Sequence, residues 1–315
     1  MRVADHFSKA EMQRLYERSD LHAWLAFFVN WGVVCFSFYL VAAWPNPLTI
    51  LIALLLIGGR QLGFGALMHE CGHATLFKSR SLNQFMGKWL AASPVFYRLD
   101  DYMNHHLEHH RKIGTTEDPD LSRYQRYPVS PGVLRGKIWR DLTGRTTLGY
   151  LRFTLNNNKV SYVDEQGRKR FDVMQFVRRF HATLITNLIL IGLLALTGVP
   201  QLYLLWVVAY FSFYMVFSRI RNLAEHAAVP ELFDENPLNN TRTTLARWWE
   251  RLTVAPNCVN YHLEHHLVPS IPKYHLAAFH RALREKGLLE RAEIAKGYGE
   301  VVRKLISIPA AQAAT

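Results

Sequence analysis

The chain has 315 residues, half of them hydrophobic, and a formal net charge of +12. A length that would otherwise accommodate two soluble domains is largely taken up by a few long apolar runs, which points to a membrane protein. Lys and Arg lie between those runs and form no single basic stripe, which excludes a nucleic-acid-binding surface.

In chain order, the first 21 residues carry charges throughout and no apolar stretch before a small-residue cleavage site, so no cleaved signal peptide is expected. A helix needs roughly 20 mostly apolar residues to cross the hydrocarbon core of a bilayer. Residues 22–44 supply the first such stretch and residues 48–68, after the turn Pro45-Asn46-Pro47, the second. Arg60 interrupts the second, as an arginine that snorkels or faces protein. The segment 82–97 is apolar but short and contains Lys88 and Pro94, which suits an interfacial or re-entrant helix. A polar layer follows, with Pro128, Pro131 and Gly167 as breakers. Residues 181–198 and 200–218 supply the third and fourth spans. The expected fold is therefore an all-α integral membrane protein, with four transmembrane helices in two hairpins and a helical layer on one side, all in one domain over residues 1–315.

Lys and Arg number 4 before the first span, 19 in residues 70–180 and 13 from Arg219 onward, while the turns at Pro45 and Val199 have none. The positive-inside rule then places both termini and the central segment in the cytoplasm. The cysteines Cys35, Cys71 and Cys258 are odd in number and form no CxxC pair, so neither a disulfide framework nor a zinc ribbon is expected.

Histidines cluster on that same side. Residues 69–73 read His-Glu-Cys-Gly-His, and a spacing of four puts His69 and His73 on one helix face. Residues 106–110 and 262–266 both read His-Leu-Glu-His-His, so His106, His109 and His110, and likewise His262, His265 and His266, can each share a face. His226 follows the last span, four residues after Asn222. Nine clustered imidazoles are poorly tolerated in a packed interior unless they hold a cation or hydrogen-bond partners. A tetrahedral zinc site uses three or four protein ligands, whereas this number suits two metals, and two redox-active irons are the economical reading. Glu70, Glu108, Glu225 and Glu264 stand beside or within the clusters and are candidates to orient the far ring nitrogens. Residues 69–73 also match the H-E-x-x-H string of zinc proteases, a reading that leaves the two later clusters unexplained.

These boxes resemble those of the membrane fatty acid desaturase family, in the pattern HxxxH, HxxHH and HxxHH, with Asp118-Pro119-Asp120 after the second box. The resemblance implies that His69, His73, His106, His109, His110, His226, His262, His265 and His266 ligate two iron ions. It also implies that Asn222 holds a metal through water. His105, additional to the second box, is expected beside the site or as an alternative ligand. The implied activity is O2-dependent desaturation of a lipid acyl chain, or hydroxylation of a lipid, carotenoid or hydrocarbon on the same scaffold. Hydrogen removal from an unactivated methylene needs a redox metal. Electrons are expected from an external ferredoxin-like or cytochrome b5-like donor, steered by the basic face. His262 stands where front-end desaturases have Gln, and there is no His-Pro-Gly-Gly haem motif. Trp89, Phe96, Tyr97, Tyr210, Phe213, Tyr214 and Phe217 are candidate walls of an acyl slot.

Overall fold

The structure is a computed structural model that describes residues 3–156 and 159–306. Its first helices are α1 (Lys9–Tyr16), α2 (Asp20–Ala43), α3 (Pro47–Gly72), α4 (Arg80–Met86) and α5 (Leu99–Lys112). A short α6 (Leu121–Tyr124), α7 (Pro131–Leu142) and α8 (Arg145–Leu155) follow, then α9 (Val173–Leu196), α10 (Tyr203–Phe211) and α11 (Phe213–His226). The C-terminal part contains α12 (Pro237–Asn240), α13 (His262–Leu267), α14 (Leu276–Glu285) and α15 (Tyr298–Ile306).

The chain is mostly helical but not wholly so. β1 (Ser161–Val163) pairs antiparallel with β2 (Lys169–Phe171), and β3 (Arg242–Thr244) pairs parallel with β4 (Glu293–Ala295). These three-residue pairings add a little strand to the expected helical fold. The β3–β4 pair matters most for the site, because it fixes the segment before α13 to the C-terminal helices.

Four helical stretches are long and apolar enough to cross a membrane: Lys9–Ala43, Pro47–Gly72, Val173–Leu196 and Pro200–His226. Their starts follow from capping. Asn46 accepts from the backbone N–H groups of Leu48 and Thr49, with Pro47 next to it where a missing N–H costs nothing. Asp172 accepts from Gln175 N, so the third stretch begins at Val173, eight residues before the expected 181. The fourth is broken at Ser212, whose φ −129° and ψ −91° separate α10 from α11, and it runs on to His226, beyond the expected 218. The segment expected as an interfacial helix is an irregular one: α4 passes into a π-turn over Gly87–Ala92 and a 3-10 turn over Ser93–Val95.

The central element is α3, which packs against α2, α10, α11 and the 87–92 turn. Two of its glycines permit close approach. A Cβ on Gly58 would stand 2.9 Å from Tyr214 N, and one on Gly59 would stand 2.2 Å from Leu252 O. Arg60 is buried and faces protein: its Nη2 donates to the carbonyls of Arg251 and Leu252 at 2.8 and 2.9 Å. Asn30 of α2 donates to the Arg60 carbonyl at 3.0 Å, and Asn257 donates to the Gly63 carbonyl at 2.9 Å. Polar side chains thus cross-link the centre of the apolar helices to the segment that leads into α13.

Candidate metal centre

Four elements bring the clustered histidines together. The last turn of α3 carries His69, with His73 as the capping residue. α5 carries His106, His109 and His110, α11 ends on His226, and the six-residue α13 carries His262, His265 and His266. Their nitrogens converge in two groups, within each of which all ligand atoms lie within 4.8 Å of one another. His69, His73, His106, His110 and His265 form the first, and His109, His226, His262 and His266 the second. The groups adjoin, with the rings of His110 and His266 stacked at 4.3 Å.

The division follows helix geometry. Residues four apart lie one above the other, so His69 and His73, His106 and His110, and His262 and His266 each enter one group as a pair. The histidine at the fourth position of each HxxHH box, three residues after the first, lies some 60° round the helix and crosses to the other group. His109 leaves the company of His106 and His110, and His265 leaves that of His262 and His266. The two boxes interlock in opposite senses.

Within the groups, Nε2 atoms face one another. The separations are 3.0 Å for His69–His265, 3.0 Å for His73–His106, 3.0 Å for His106–His110, 2.9 Å for His110–His265, 2.9 Å for His226–His262 and 3.0 Å for His262–His266. Imidazoles bound at about 2.1 Å and at right angles around one ion have nitrogens roughly 3.0 Å apart, against about 3.4 Å for tetrahedral directions. The observed edges match the former, and five imidazoles exceed what a tetrahedral site takes.

The opposite ring nitrogens show which Nε2 atoms are bare. His69 Nδ1 donates to Glu70 Oε1 at 3.1 Å, His109 Nδ1 to Asp118 Oδ1 at 2.8 Å, and His226 Nδ1 to the Asn240 carbonyl at 3.1 Å. His262 Nδ1 stands 3.2 Å from Glu225 Oε1, off the line of a good hydrogen bond but within reach of its charge. A neutral imidazole with its proton on Nδ1 has only a lone pair on Nε2. The Nε2 atoms of His69, His109 and His226 therefore present lone pairs into the groups, and that of His226 faces His262 Nε2 at 2.9 Å.

Burial keeps the rings neutral. It pushes His106, His262, His265 and His266 well below the usual histidine range, His73 below it, and His110 down to about 3. Neighbouring imidazoles depress most of them further. Burial would raise the Asp118 carboxyl, but hydrogen bonds from His109 and Tyr124 overcome it and hold that group below the usual carboxylate range. The site is a cage of neutral donors with anionic support behind it, and this donor set fits divalent iron, zinc or copper.

Asp118, Tyr124 and the Asn240 carbonyl carry no periodic signal in the sequence. Asp118 reaches His109 across the turn that ends α5, Tyr124 donates to its other oxygen, and Asp120 N donates to Oδ1 at 2.8 Å. The only hint was the Asp-Pro-Asp string after the second box.

The four glutamates divide. Glu70 holds His69, accepts from Thr75 Oγ1 at 3.0 Å and accepts from Lys273 N at 2.9 Å. So engaged, it is not placed as the free general base that a zinc protease would need. Glu225 lies between His262 and Arg221, whose Nε is 2.5 Å away. Glu108 pairs instead with Arg111 at the surface. Glu264 points away from the cage and accepts from His280 Nδ1 and Thr243 Oγ1, both at 2.6 Å, tying α13 to α14 and β3. Asn222 Oδ1 accepts from Arg221 Nη1 at 3.0 Å, one turn before His226.

His105 is exposed and its Nε2 pairs with Asp120 at 2.6 Å, outside both groups. A surface pair of this kind contributes about 0–1 kcal/mol. His105→Ala is therefore expected to leave metal content unchanged and turnover within roughly fivefold of wild type, measured side by side on the same preparation.

Of the aromatic residues expected along a slot, Tyr97 and Tyr214 share a hydrogen bond at 3.1 Å, Tyr210 stacks on Tyr214 and packs on Phe96, and Phe213 packs on Phe217. Trp89 packs edge-on against His181. Tyr97 leads towards the cage through Tyr102, which stacks on His106 at 5.5 Å.

Four helical stretches apolar enough to cross a membrane, together with a two-group histidine cluster compatible with a metal site, are the features of a histidine-box protein. Comparison with known proteins gives the family. The profile described as Fatty acid desaturase matches residues 45–296. A dihydrorhizobitoxine desaturase of Bradyrhizobium elkanii is 34% identical over 74% of this chain and 66% of its own length. This chain therefore spans just under two thirds of that relative. An sn-1 oleoyl-lipid 12-desaturase of Synechocystis sp. is 24% identical over 86% of this chain and 78% of its own. A chloroplastic omega-6 fatty acid desaturase of Spinacia oleracea is 22% identical over 87% and 62%. The chain belongs to the fatty acid desaturase family.

Proposed function

We propose that this chain is a membrane-bound oxidoreductase that desaturates a lipid acyl chain with O2 at two irons held by the nine caged histidines. The observation that carries this reading is the convergence of nine histidines into two adjoining groups, the ligand atoms of each lying within 4.8 Å of one another. Family membership and the relatives named for lipid desaturation support the reaction class. In balance, two hydrogens leave adjacent carbons, one O2 is consumed with two external electrons and two protons, and two waters form. Iron at the cage supplies the oxygen activation that protein side chains lack.

The chain's own part is placement. His69, His73, His106, His110 and His265 hold one ion, and His109, His226, His262 and His266 the other. Glu70, Asp118 and the Asn240 carbonyl fix the rings of His69, His109 and His226 from behind, Glu225 adds its charge beside His262, and Asn222 contributes through water. The packed aromatic residues around Tyr97 and Tyr214 exclude water from the approach to His106. Charge asymmetry supports a cytoplasmic histidine side, reached by an acidic ferredoxin-like or cytochrome b5-like electron donor.

A second reading of the substrate is favoured by the 34% identity to the Bradyrhizobium elkanii protein, namely dihydrorhizobitoxine or an analogue of it. Expression of wild type and of His265→Ala in one host, followed by analysis of lipids and of added dihydrorhizobitoxine, separates the readings. Acyl chains lacking two hydrogens only with wild type support the first. Conversion of the added compound alone supports the second. Products that gain one oxygen identify a hydroxylase, and no change in any arm overturns the proposal.

A further inference from the structure

We propose that residues 245–252 form a lipid-facing insert, with Trp248, Trp249 and Leu252 seated in the membrane leaflet on the histidine side. The inference rests on the reading of the four apolar helices as membrane spans. Its starting point is a surface that a water-facing loop does not need: Trp248 is 76% exposed, Trp249 46%, Leu245 40% and Leu252 36%.

Two spans measure the depth of this segment. The Leu252 carbonyl lies against Gly59, twelve residues into α3 from Pro47, and Gly58 lies against Phe213, thirteen residues beyond Pro200. At a rise of about 1.5 Å per residue, both routes put this level about 18–20 Å from the far ends of the helices. The hydrocarbon core is about 30 Å thick. The segment therefore meets α3 inside the bilayer's apolar thickness, in the half nearer the histidines.

Non-helical backbone at that depth requires its polar groups to be satisfied by protein. Here they are. Arg60 donates to the carbonyls of Arg251 and Leu252, which gives a buried arginine in an apolar helix a role. The sole acid of the segment, Glu250, is buried, and it accepts from Arg247 N at 2.7 Å and Tyr298 N at 2.8 Å. Ala255 N donates to the Glu250 carbonyl at 2.8 Å. The polar groups turn inward while the two indoles turn outward. Tryptophan favours the boundary between acyl chains and headgroups. Arg247 and Arg251, both exposed, extend apolar stems with charged tips suited to anionic headgroups. The occupant of this surface is thus the lipid leaflet.

Spin labelling of the full chain in bilayers tests it. In a Cys35→Ala background, which removes the exposed thiol, a nitroxide is attached at Trp248→Cys, at Phe28→Cys on the exposed face of α2, and at Glu165→Cys in an exposed turn. Collision with oxygen, which partitions into lipid, is compared with collision with a water-soluble nickel chelate. The expected ratio at 248 is several-fold above that at 165 and close to that at 28. A label at 248 that behaves like 165 while 28 remains lipid-exposed overturns the insert and leaves the spans standing. Water-like behaviour at both 248 and 28 overturns the membrane reading and the insert with it.

Discussion

His266→Ala is expected to reduce turnover to background, a loss of at least about 100-fold, while the protein still inserts and purifies. His266 shares the second group with His109, His226 and His262, and its ring also stacks on His110 of the first. Removing it takes one donor from a four-histidine set and leaves His262 Nε2 without its partner at 3.0 Å. The metal content of the variant should fall by about one ion per chain, because the five-histidine group keeps all its members. His110→Ala is the reciprocal case: it takes one donor from the first group, leaves His69, His73, His106 and His265, and should weaken that ion's retention while the second group keeps all its members. Activity assays and metal analysis on the same samples distinguish this from general unfolding, which would remove both ions together.

The second large effect is expected at Asp118, a residue outside every box. Its carboxylate accepts the proton that fixes His109 with Nε2 bare, and it is itself held by Tyr124 and by Asp120 N. Partners of ligating histidines typically contribute about 10–100-fold in metal affinity or activity. Asp118→Ala should therefore weaken retention of the second ion by about 10–100-fold, measured as loss of metal against increasing chelator. Asp118→Asn keeps an acceptor oxygen without the charge and should fall between the two. A wild-type chelation curve for Asp118→Ala would show that His109 needs no such support.

Much of this was legible in the sequence because metal ligation and membrane insertion both leave periodic signals. Apolar runs of spanning length gave four helices, and spacings of four gave the three histidine pairs that stay together. What was not legible depends on contacts between distant segments. The crossing of His109 and His265 between groups needs the relative rotation of α5 and α13, which no local spacing encodes. Glu108 and Glu264 occupy equivalent positions in identical His-Leu-Glu-His-His strings, yet one pairs with Arg111 at the surface and the other with buried His280. Asp118 replaces Glu108 as the carboxylate behind the second box. Arg60 reads as a flaw in an apolar helix until Leu252 is seen against Gly59. The third helix starts early because Asp172 caps it, and its first turns, with Arg178 and Arg179, are too polar for a hydropathy reading to include.

The central claim is that nine histidines form two adjacent iron sites of unequal donor number. Its most direct test is anaerobic titration of the metal-free full-length protein with isotopically enriched Fe(II), followed by Mössbauer spectroscopy. Two irons per chain in two distinguishable ferrous environments, both lost from the spectrum's ferrous region when O2 and substrate are added, is the predicted result. Binding of a single ion per chain, or of two ions that do not respond to O2 with any candidate substrate, would contradict it.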